Sequence, residues 1–249
     1  MNSHASPTQE RHSATSAYSL GSDRASQLLR AARELAPVLQ QRAAACKEHR
    51  RVSDETIADF HAAGFFRILQ SERYGGYAMD PQVFYAVLME IAQTCMSSAW
   101  VLGVIGVHNW QLNLFDAKAS EDVWGEDPSV LISSSYAPVG KVTPVDGGFR
   151  LSGRWSFSSG CEHCEWAFLG AVVPTEEHPW DMQNYRTFLL PRADYAIEDN
   201  WNVIGLQGTG SHDIVVDDVF VPEYRTHRMR EDRDGSKHSD KAPLYQLPF

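Results

Sequence analysis

The sequence predicts an α+β fold, with a helical first half, a β-rich second half and a change of texture near Asp127-Pro128. Three observations predict it. Before that point, apolar residues recur at helical spacing. After it, they gather in short β-branched and aromatic runs. Asp146-Gly147-Gly148 reads as a hairpin turn joining two of those runs. Helices followed by strands, without βαβ alternation, is the α+β order.

Residues 1–22 are rich in Ser, Ala, Thr and His and carry no apolar stretch, so they read as a disordered tail and not as a secretory signal. Residues 23–127 are the expected N-terminal helical domain. Asp23 to His49 places Leu28, Leu29, Ala32, Leu35, Ala36 and Leu39 at helical spacing, with Pro37 positioned to kink or split the helix. Ser53 or Asp54 caps a second helix through Ile57, Phe60 and His61, which Gly64 stops. Asp80-Pro81 joins an N-cap to a proline at the first helical position and opens a third helix with Val83, Phe84, Val87, Leu88 and Ile91. Ser97 or Ser98 starts a fourth, through Trp100, Val104, Val107, His108, Gln111 and Leu112, and a short helix covers Ala117 to Trp124.

Residues 128–225 are the expected β-domain. Strands are predicted at Val130 to Ser135, Val139 to Val145, Phe149 to Ser158, Trp166 to Val173, Arg186 to Leu190 and Asp213 to Val221. The last follows three close glycines (Gly205, Gly208, Gly210), is broken by the acidic pair Asp217-Asp218 and closes on Pro222. Residues 226–249 begin as a charged, mobile loop from Arg228 to Lys241. They end on Leu247-Pro248-Phe249, which has the look of a further element beginning.

Composition narrows the function classes. A formal net charge of −10 argues against broad nucleic-acid binding, which wants a basic face. The longest apolar run, Trp100 to Val107, is too short to span a bilayer, so no membrane role is expected. Four cysteines in 249 residues do not make a disulfide scaffold, which fits a cytoplasmic protein. Cys161-Glu162-His163-Cys164 has Cys-x-x-Cys spacing. It follows a strand and lacks a second ligand pair, so no metal site is assigned. Neither a P-loop nor a nucleophile elbow is present.

Two serine clusters stand at strand ends. One is Ser133-Ser134-Ser135-Tyr136, the other Trp155-Ser156-Phe157-Ser158-Ser159-Gly160. Strand alternation puts Trp155, Phe157 and Ser159 on one face and Ser156 and Ser158 on the other. Hydroxyls and rings in this arrangement suit a flat heteroaromatic ligand; equally, a serine-rich strand edge can bond its own backbone. Trp100 and His108 differ by about 80° around a helix, so both can face one pocket. His108 is either a packed side chain or a base titrating near neutral pH, suited to a phenolic proton.

Several of these strings resemble known ones. Glu72-Arg73-Tyr74-Gly75-Gly76, the Trp155–Gly160 strand and the Gly205–Pro222 string occur in the order found in the acyl-CoA dehydrogenase superfamily. A sharper resemblance lies in Gly106-Val107-His108-Asn109-Trp110, Val123 to Pro128, Ile132 to Pro138 and Trp155 to Cys161. Together these are similar to the oxygenase components of two-component flavin monooxygenases. The resemblance is greatest to the seco-steroid phenol hydroxylases of bacterial steroid degradation and more distant to the p-hydroxyphenylacetate hydroxylases. It implies a helical domain followed by a β-barrel-like domain. It also implies a partner reductase that supplies reduced flavin (FMNH2 or FADH2), with O2 as co-substrate. A C4a-hydroperoxide then hydroxylates a phenolic small molecule ortho to its hydroxyl, giving a catechol.

By the same resemblance, Trp100, Ser134, Ser135, Tyr136, Phe157, Ser158 and Ser159 line the flavin. Ser134 and Ser159 are placed at its N5 edge and His108 beside the phenol. No dinucleotide fingerprint chooses FMN or FAD. The family's C-terminal helical bundle, which builds a homotetramer, is absent from the 249 residues, so the resemblance implies a fragment. An acyl-CoA dehydrogenase-type oxidoreductase and a non-catalytic binding or assembly module are the alternatives.

Overall fold

The computed structural model describes residues 17–177, 180–228, 240 and 242–246. The expected disorder of residues 1–22 falls largely outside that range. So do most of the Arg228–Lys241 loop and the Leu247–Phe249 ending. Residues 17–22 are held in place: Asp80 N–H donates to the Tyr18 carbonyl, and Ser22 caps the first helix.

Among the described residues, five α-helices come first: α1 (Asp23–Glu48), α2 (Asp54–Ala62), α3 (Pro81–Ala92), α4 (Met96–Gln111) and α5 (Ala117–Trp124). Their starts follow the expected chemistry at most positions. Ser53 Oγ accepts from Thr56 N–H, Asp80 from Gln82 N–H with Pro81 behind it, and Asp116 from Lys118 N–H. Gly64, in the left-handed conformation at φ 76°, follows the end of α2.

Two expectations are corrected. Pro37 leaves α1 a single helix of 26 residues. Burial of Leu28, Ala32 and Leu39 along its inner face outweighs one missing backbone bond. α4 starts one residue before Ser97, with Cys95 as its N-cap residue. Ser98 lies within the first turn of α4, and its hydroxyl donates back to Cys95 Sγ at 3.1 Å.

Seven strands among the described residues follow: β1 (Ile132–Val145), β2 (Gly148–Ser158), β3 (Trp166–Val172), β4 (Tyr185–Pro191), β5 (Ala196–Glu198), β6 (His212–Pro222) and β7 (Thr226–His227). They form one mixed sheet in the order β5-β6-β2-β1-β3-β4-β7. All neighbours are antiparallel except β1 and β3. The sheet curls round its own core but stays open between β5 and β7, so barrel-like describes its curvature and not its closure.

The two strands expected on either side of Tyr136-Ala137-Pro138 are one long strand. β1 changes partner midway: Ile132 to Ser135 pair with β3, and Lys141 to Val145 pair with β2. Pro138, which has no N–H, falls in the register shift of the β1–β3 ladder between Ser135 and Gly140. β6 carries the expected irregularity at its acidic pair. Its register against β2 slips between Val216 and Val219, and Asp218 has φ 47°.

Three apolar clusters hold the molecule together. One fills the helical half around Phe60, Phe65, Phe84, Val87 and Leu102. A second lies inside the curl of the sheet, around Leu151, Trp155, Leu169, Phe188 and Ile214. The third joins the two parts: Phe115 and Trp124 pack on Ile132, Phe168 and Leu189. The central strands are therefore buried on both faces. Phe168 and Leu189 face the helices, while Leu169 and Phe188 face the sheet core. A 3-10 turn, Pro243–Gln246, returns to the helical core, with Tyr245 Oη donating to the Leu69 carbonyl at 3.2 Å and Trp110 Nε1 to that of Leu244 at 3.2 Å.

Candidate active site

The candidate residues gather at two stations along α4, about 12 Å apart along the helix axis. Trp100 marks the first and His108 the second, so the structure does not bring these two side chains into contact.

At the first station, the end of β2 meets the turn before β6. Phe157 has φ 67°, an uncommon conformation for a non-glycine residue, and this breaks the alternation predicted for the strand. Trp155 points into the sheet core and donates to the Gly170 carbonyl at 2.8 Å. Phe157 instead turns out, 70% exposed, with its ring edge-on to Trp201. Ser158 and Ser159 are both buried, where strict alternation had separated them. The same geometry slips the register between Trp155 and Ser158.

Ser159 belongs to a hydrogen-bond chain whose direction its ends determine. Trp100 Nε1 can only donate, and it reaches Ser159 Oγ at 3.0 Å. At the other end, the Leu206 carbonyl can only accept, and it takes the Thr209 hydroxyl at 3.0 Å. The links between are Ser159 to Ser211 at 2.7 Å and Ser211 to Thr209 at 2.6 Å. Every proton therefore runs from Trp100 toward Leu206. Ser159 has spent its proton and keeps one lone pair, so it can offer a ligand acceptance only. Ser158 Oγ, fully buried beside it, has no hydrogen-bond partner.

At the second station, His108 is buried and its Nδ1 lies 2.6 Å from the Ile132 carbonyl. A carbonyl only accepts, so Nδ1 carries the proton and Nε2 presents a lone pair. Burial pushes the imidazole down to about 4, against the opposing pull of that carbonyl. The expectation of a base titrating near neutral pH is thus corrected: His108 is neutral there because the charged form would be desolvated. Its ring packs edge-on to Tyr136 and Phe168.

Tyr136 donates to Gln111 Oε1, and Gln111 Nε2 lies 3.2 Å from His227 Nε2. Burial raises the Tyr136 phenol, and Ser134 hydrogen-bonds it. Ser135 joins the two stations by donating to the Ser156 carbonyl at 2.7 Å. Ser133 contacts the Trp166 carbonyl across β1 and β3.

Sequence reasoning did not single out Ser211, Thr209, Gln111 and His227. Ser211 and Thr209 stood in the glycine string, where only the glycines drew notice. Gln111 lies three residues after His108, on the same helical face. His227 carried no local signal. Cys161 and Cys164 are free and buried, and burial pushes the Cys161 thiol up to about 12. Among the described residues, no cluster of three or more His, Cys, Asp or Glu could hold a metal ion. Nor is any helix among them long and apolar enough to cross a membrane.

The first station fits a planar heteroaromatic group with a polar edge. It offers two exposed aromatic rings, Trp100 and Phe157, an acceptor-only hydroxyl and an orphaned buried hydroxyl. Backbone strain at Phe157 is also of the kind that collects at ligand sites.

Comparison with known proteins agrees with this geometry. Residues 22–121 match the acyl-CoA dehydrogenase N-terminal domain family. The chain is 47% identical over 221 residues to "Flavin-dependent monooxygenase, oxygenase subunit HsaA" of Rhodococcus jostii (strain RHA1), covering 86% of this chain and 56% of that protein. It is 38% identical to "FADH(2)-dependent resorcinol hydroxylase, oxygenase component" of Rhizobium sp. (strain MTP-10005), covering 77% and 46%. Among solved structures, the HsaA monooxygenase of M. tuberculosis superposes with a TM-score of 0.86 at 43% identity, covering 90% of this chain and 59% of that one. The chain thus spans about half the length of these relatives.

Proposed function

The chain belongs to the acyl-CoA dehydrogenase superfamily, beside flavin-dependent aromatic hydroxylases, and on that premise we propose that it is the oxygenase component of a two-component flavin monooxygenase. In this reading it takes reduced FMN or FAD from a separate reductase and hydroxylates a phenolic substrate, such as a seco-steroid, ortho to its hydroxyl. It acts in the cytoplasm and as a homo-oligomer, with the helical part (23–127) and the β part (128–225) as two walls of one site.

The observation that carries the proposal is the polarity of the Trp100–Ser159–Ser211–Thr209 chain. A hydroxyl that can only accept suits an N–H edge, and a reduced isoalloxazine has such an edge at N5. Trp100 and Phe157 supply apolar faces for the ring system, and Ser158 offers the hydroxyl that lacks a partner. Ser134, Ser135 and Tyr136 line the same wall from β1, with Ser134 second to Ser159 as the N5 partner. Reduced flavin, when bound, supplies the electrons that convert O2 into an oxygen atom transferable to the ring.

His108 acts on the phenol. Its Nδ1–H is held by Ile132, so Nε2 is a fixed acceptor. That atom orients the phenol hydroxyl and draws on its proton, which makes the ortho carbon a better nucleophile. The apolar surroundings of Phe115 and Phe168 keep water from the same position.

The test is to supply the full-length parent protein with reduced FMN or FAD, O2 and a phenolic seco-steroid. A catechol product is expected, and His108→Ala should lower its rate about a hundredfold or more with reduced-flavin binding intact. Flavin reduction by an acyl-CoA thioester without O2, and no catechol, would assign the dehydrogenase chemistry instead.

A further inference from the structure

Two hydroxyls stand in line behind the one that faces the candidate site. Ser159, Ser211 and Thr209 are all buried, so their protons must find acceptors within the protein. The line can run in either of two directions. Run toward Leu206, it seats every proton: that of Ser159 on Ser211 at 2.7 Å, that of Ser211 on Thr209 at 2.6 Å, and that of Thr209 on the Leu206 carbonyl at 3.0 Å. Run the other way, it leaves the Ser159 proton without an acceptor among the described residues, because Trp100 Nε1 fills that end with a donor at 3.0 Å. The direction is thus decided at Thr209, two links away from the site.

The backbone holds Thr209 to that task. Leu206 and Gly210 bracket the Gln207–Thr209 turn in the left-handed conformation, at φ 53° and 52°. The Leu206 carbonyl is folded back over the turn, where it takes the Thr209 N–H at 3.2 Å as well as its hydroxyl. On the other side, Gly160 N–H donates to the Thr209 carbonyl at 2.8 Å. The turn is thereby tied to the residue that follows Ser159.

We propose that Thr209 and Ser211 are positioning residues that make the site select reduced over oxidised flavin. The inference rests on the proposed function, in which Ser159 meets the flavin N5 edge. Reduced flavin carries an N–H at N5, and the one lone pair left on Ser159 accepts it. Oxidised flavin presents a lone pair at N5 instead. Ser159 has no proton left to offer, so two acceptors would face each other in a buried place. The same polarity favours departure of flavin once it has returned to the oxidised form. Both positioning residues act through the Ser159 hydroxyl. Removing the Thr209 hydroxyl takes away the seat of the Ser211 proton, which then turns to Ser159. The Ser159 proton is freed toward the ligand, and the acceptor becomes a donor.

The test titrates the full-length parent protein, without O2, with the reduced and with the oxidised forms of FMN and FAD, following the flavin spectrum. The unmodified protein should hold the reduced form of its flavin at least about tenfold more tightly than the oxidised form. Thr209→Val, close in shape, should weaken the reduced form, tighten the oxidised form and so move the ratio of the two dissociation constants by about tenfold or more. Thr209→Ser, which keeps a hydroxyl, should restore the ratio. Ser211→Ala removes the acceptor of the Ser159 proton directly and should move the ratio the same way, which decides the matter if Thr209→Val fails to fold. A purely structural role would weaken both forms together. Parallel loss, an unchanged ratio in the variants, or equal affinity for both forms in the unmodified protein overturns the proposal. Binding of neither form by the unmodified protein would instead remove the flavin reading itself, and this inference with it.

Discussion

His108 is where a single side chain has the plainest measurable consequence. Its folded pKa, about 4, lies below the ordinary 6.5. The unfolded chain therefore binds a proton that the folded chain refuses, and folding loses stability as pH falls from about 6.5 toward 4. The whole loss is on the order of 3 kcal/mol. Comparing the unmodified chain with His108→Gln by chemical denaturation at pH 7 and pH 4 isolates this term. The stability gap should shrink or reverse at the lower pH, and a pH-independent gap would sink the argument. Phe157 gives a second prediction. Phe157→Gly relieves a left-handed residue and loses little packing, since the ring is exposed. Thermal stability should hold or rise, by up to about 1 kcal/mol, while affinity for reduced flavin falls in a fluorescence titration. Lower stability with unchanged affinity would make Phe157 a structural residue only.

Among the elements, helices were the more legible, because their signals are local. The Asp80-Pro81 start, the Gly64 stop and the Ala117–Trp124 span are each written within a few residues. β1 was harder. Its continuity through Pro138 depends on a change of partner from β3 to β2, and no stretch of β1 encodes which strand lies beside it. The short strands β5 and β7 were missed for the same reason, since each exists through pairing with a longer neighbour. The candidate site divides likewise. Serines and aromatic residues at strand ends were visible, but the left-handed turn at Phe157 and the relay through Ser211 and Thr209 exist only once β2 and β6 are adjacent. The glycine string was visible as flexible, yet what the structure uses at Gly208 is absence of bulk. Its φ of −87° is open to any residue, but a Cβ would strike Cys46 Sγ and the Cys46 carbonyl. Gly208→Ala should thus cost about 1–3 kcal/mol through overpacking and not backbone strain. Trimming Cys46 to Ala in the same chain should recover part of the loss; no recovery would refute the contact as its cause.

Across the whole molecule, two ion pairs tie the α1–α2 corner to the β-rich half: Arg50 meets Asp199 at 2.7 Å and Arg51 meets Glu162 at 3.6 Å. His163, which burial pushes down from its ordinary value, adds its Nε2 contact with the Val52 carbonyl at 3.0 Å. Arg50 also donates to the Trp201 carbonyl at 2.8 Å. The ion-paired groups are partly exposed, so salt screens them and the bond to the carbonyl less so. The melting temperature of the unmodified chain should fall between low salt and about 0.5 M NaCl, and that slope should be smaller in Arg50→Ala. Equal slopes would show that the corner is held by packing alone. This joint was invisible in the sequence, where its partners stand about 110 to 150 positions apart.

The return of Leu244 and Tyr245 to the helical core bears on how the chain reaches its fold. Trp110 and Leu244 are 134 positions apart, and Leu69 and Tyr245 are 176 apart. The helices leave the ribosome first, but their core is finished last, by a segment made after every strand of the sheet. Until that segment arrives, the place Tyr245 fills stays open to other apolar surfaces. Contacts so distant in sequence are slow to close, because a long loop must be ordered before they give any return. The helical half is accordingly the part of the nascent chain most exposed to misassociation.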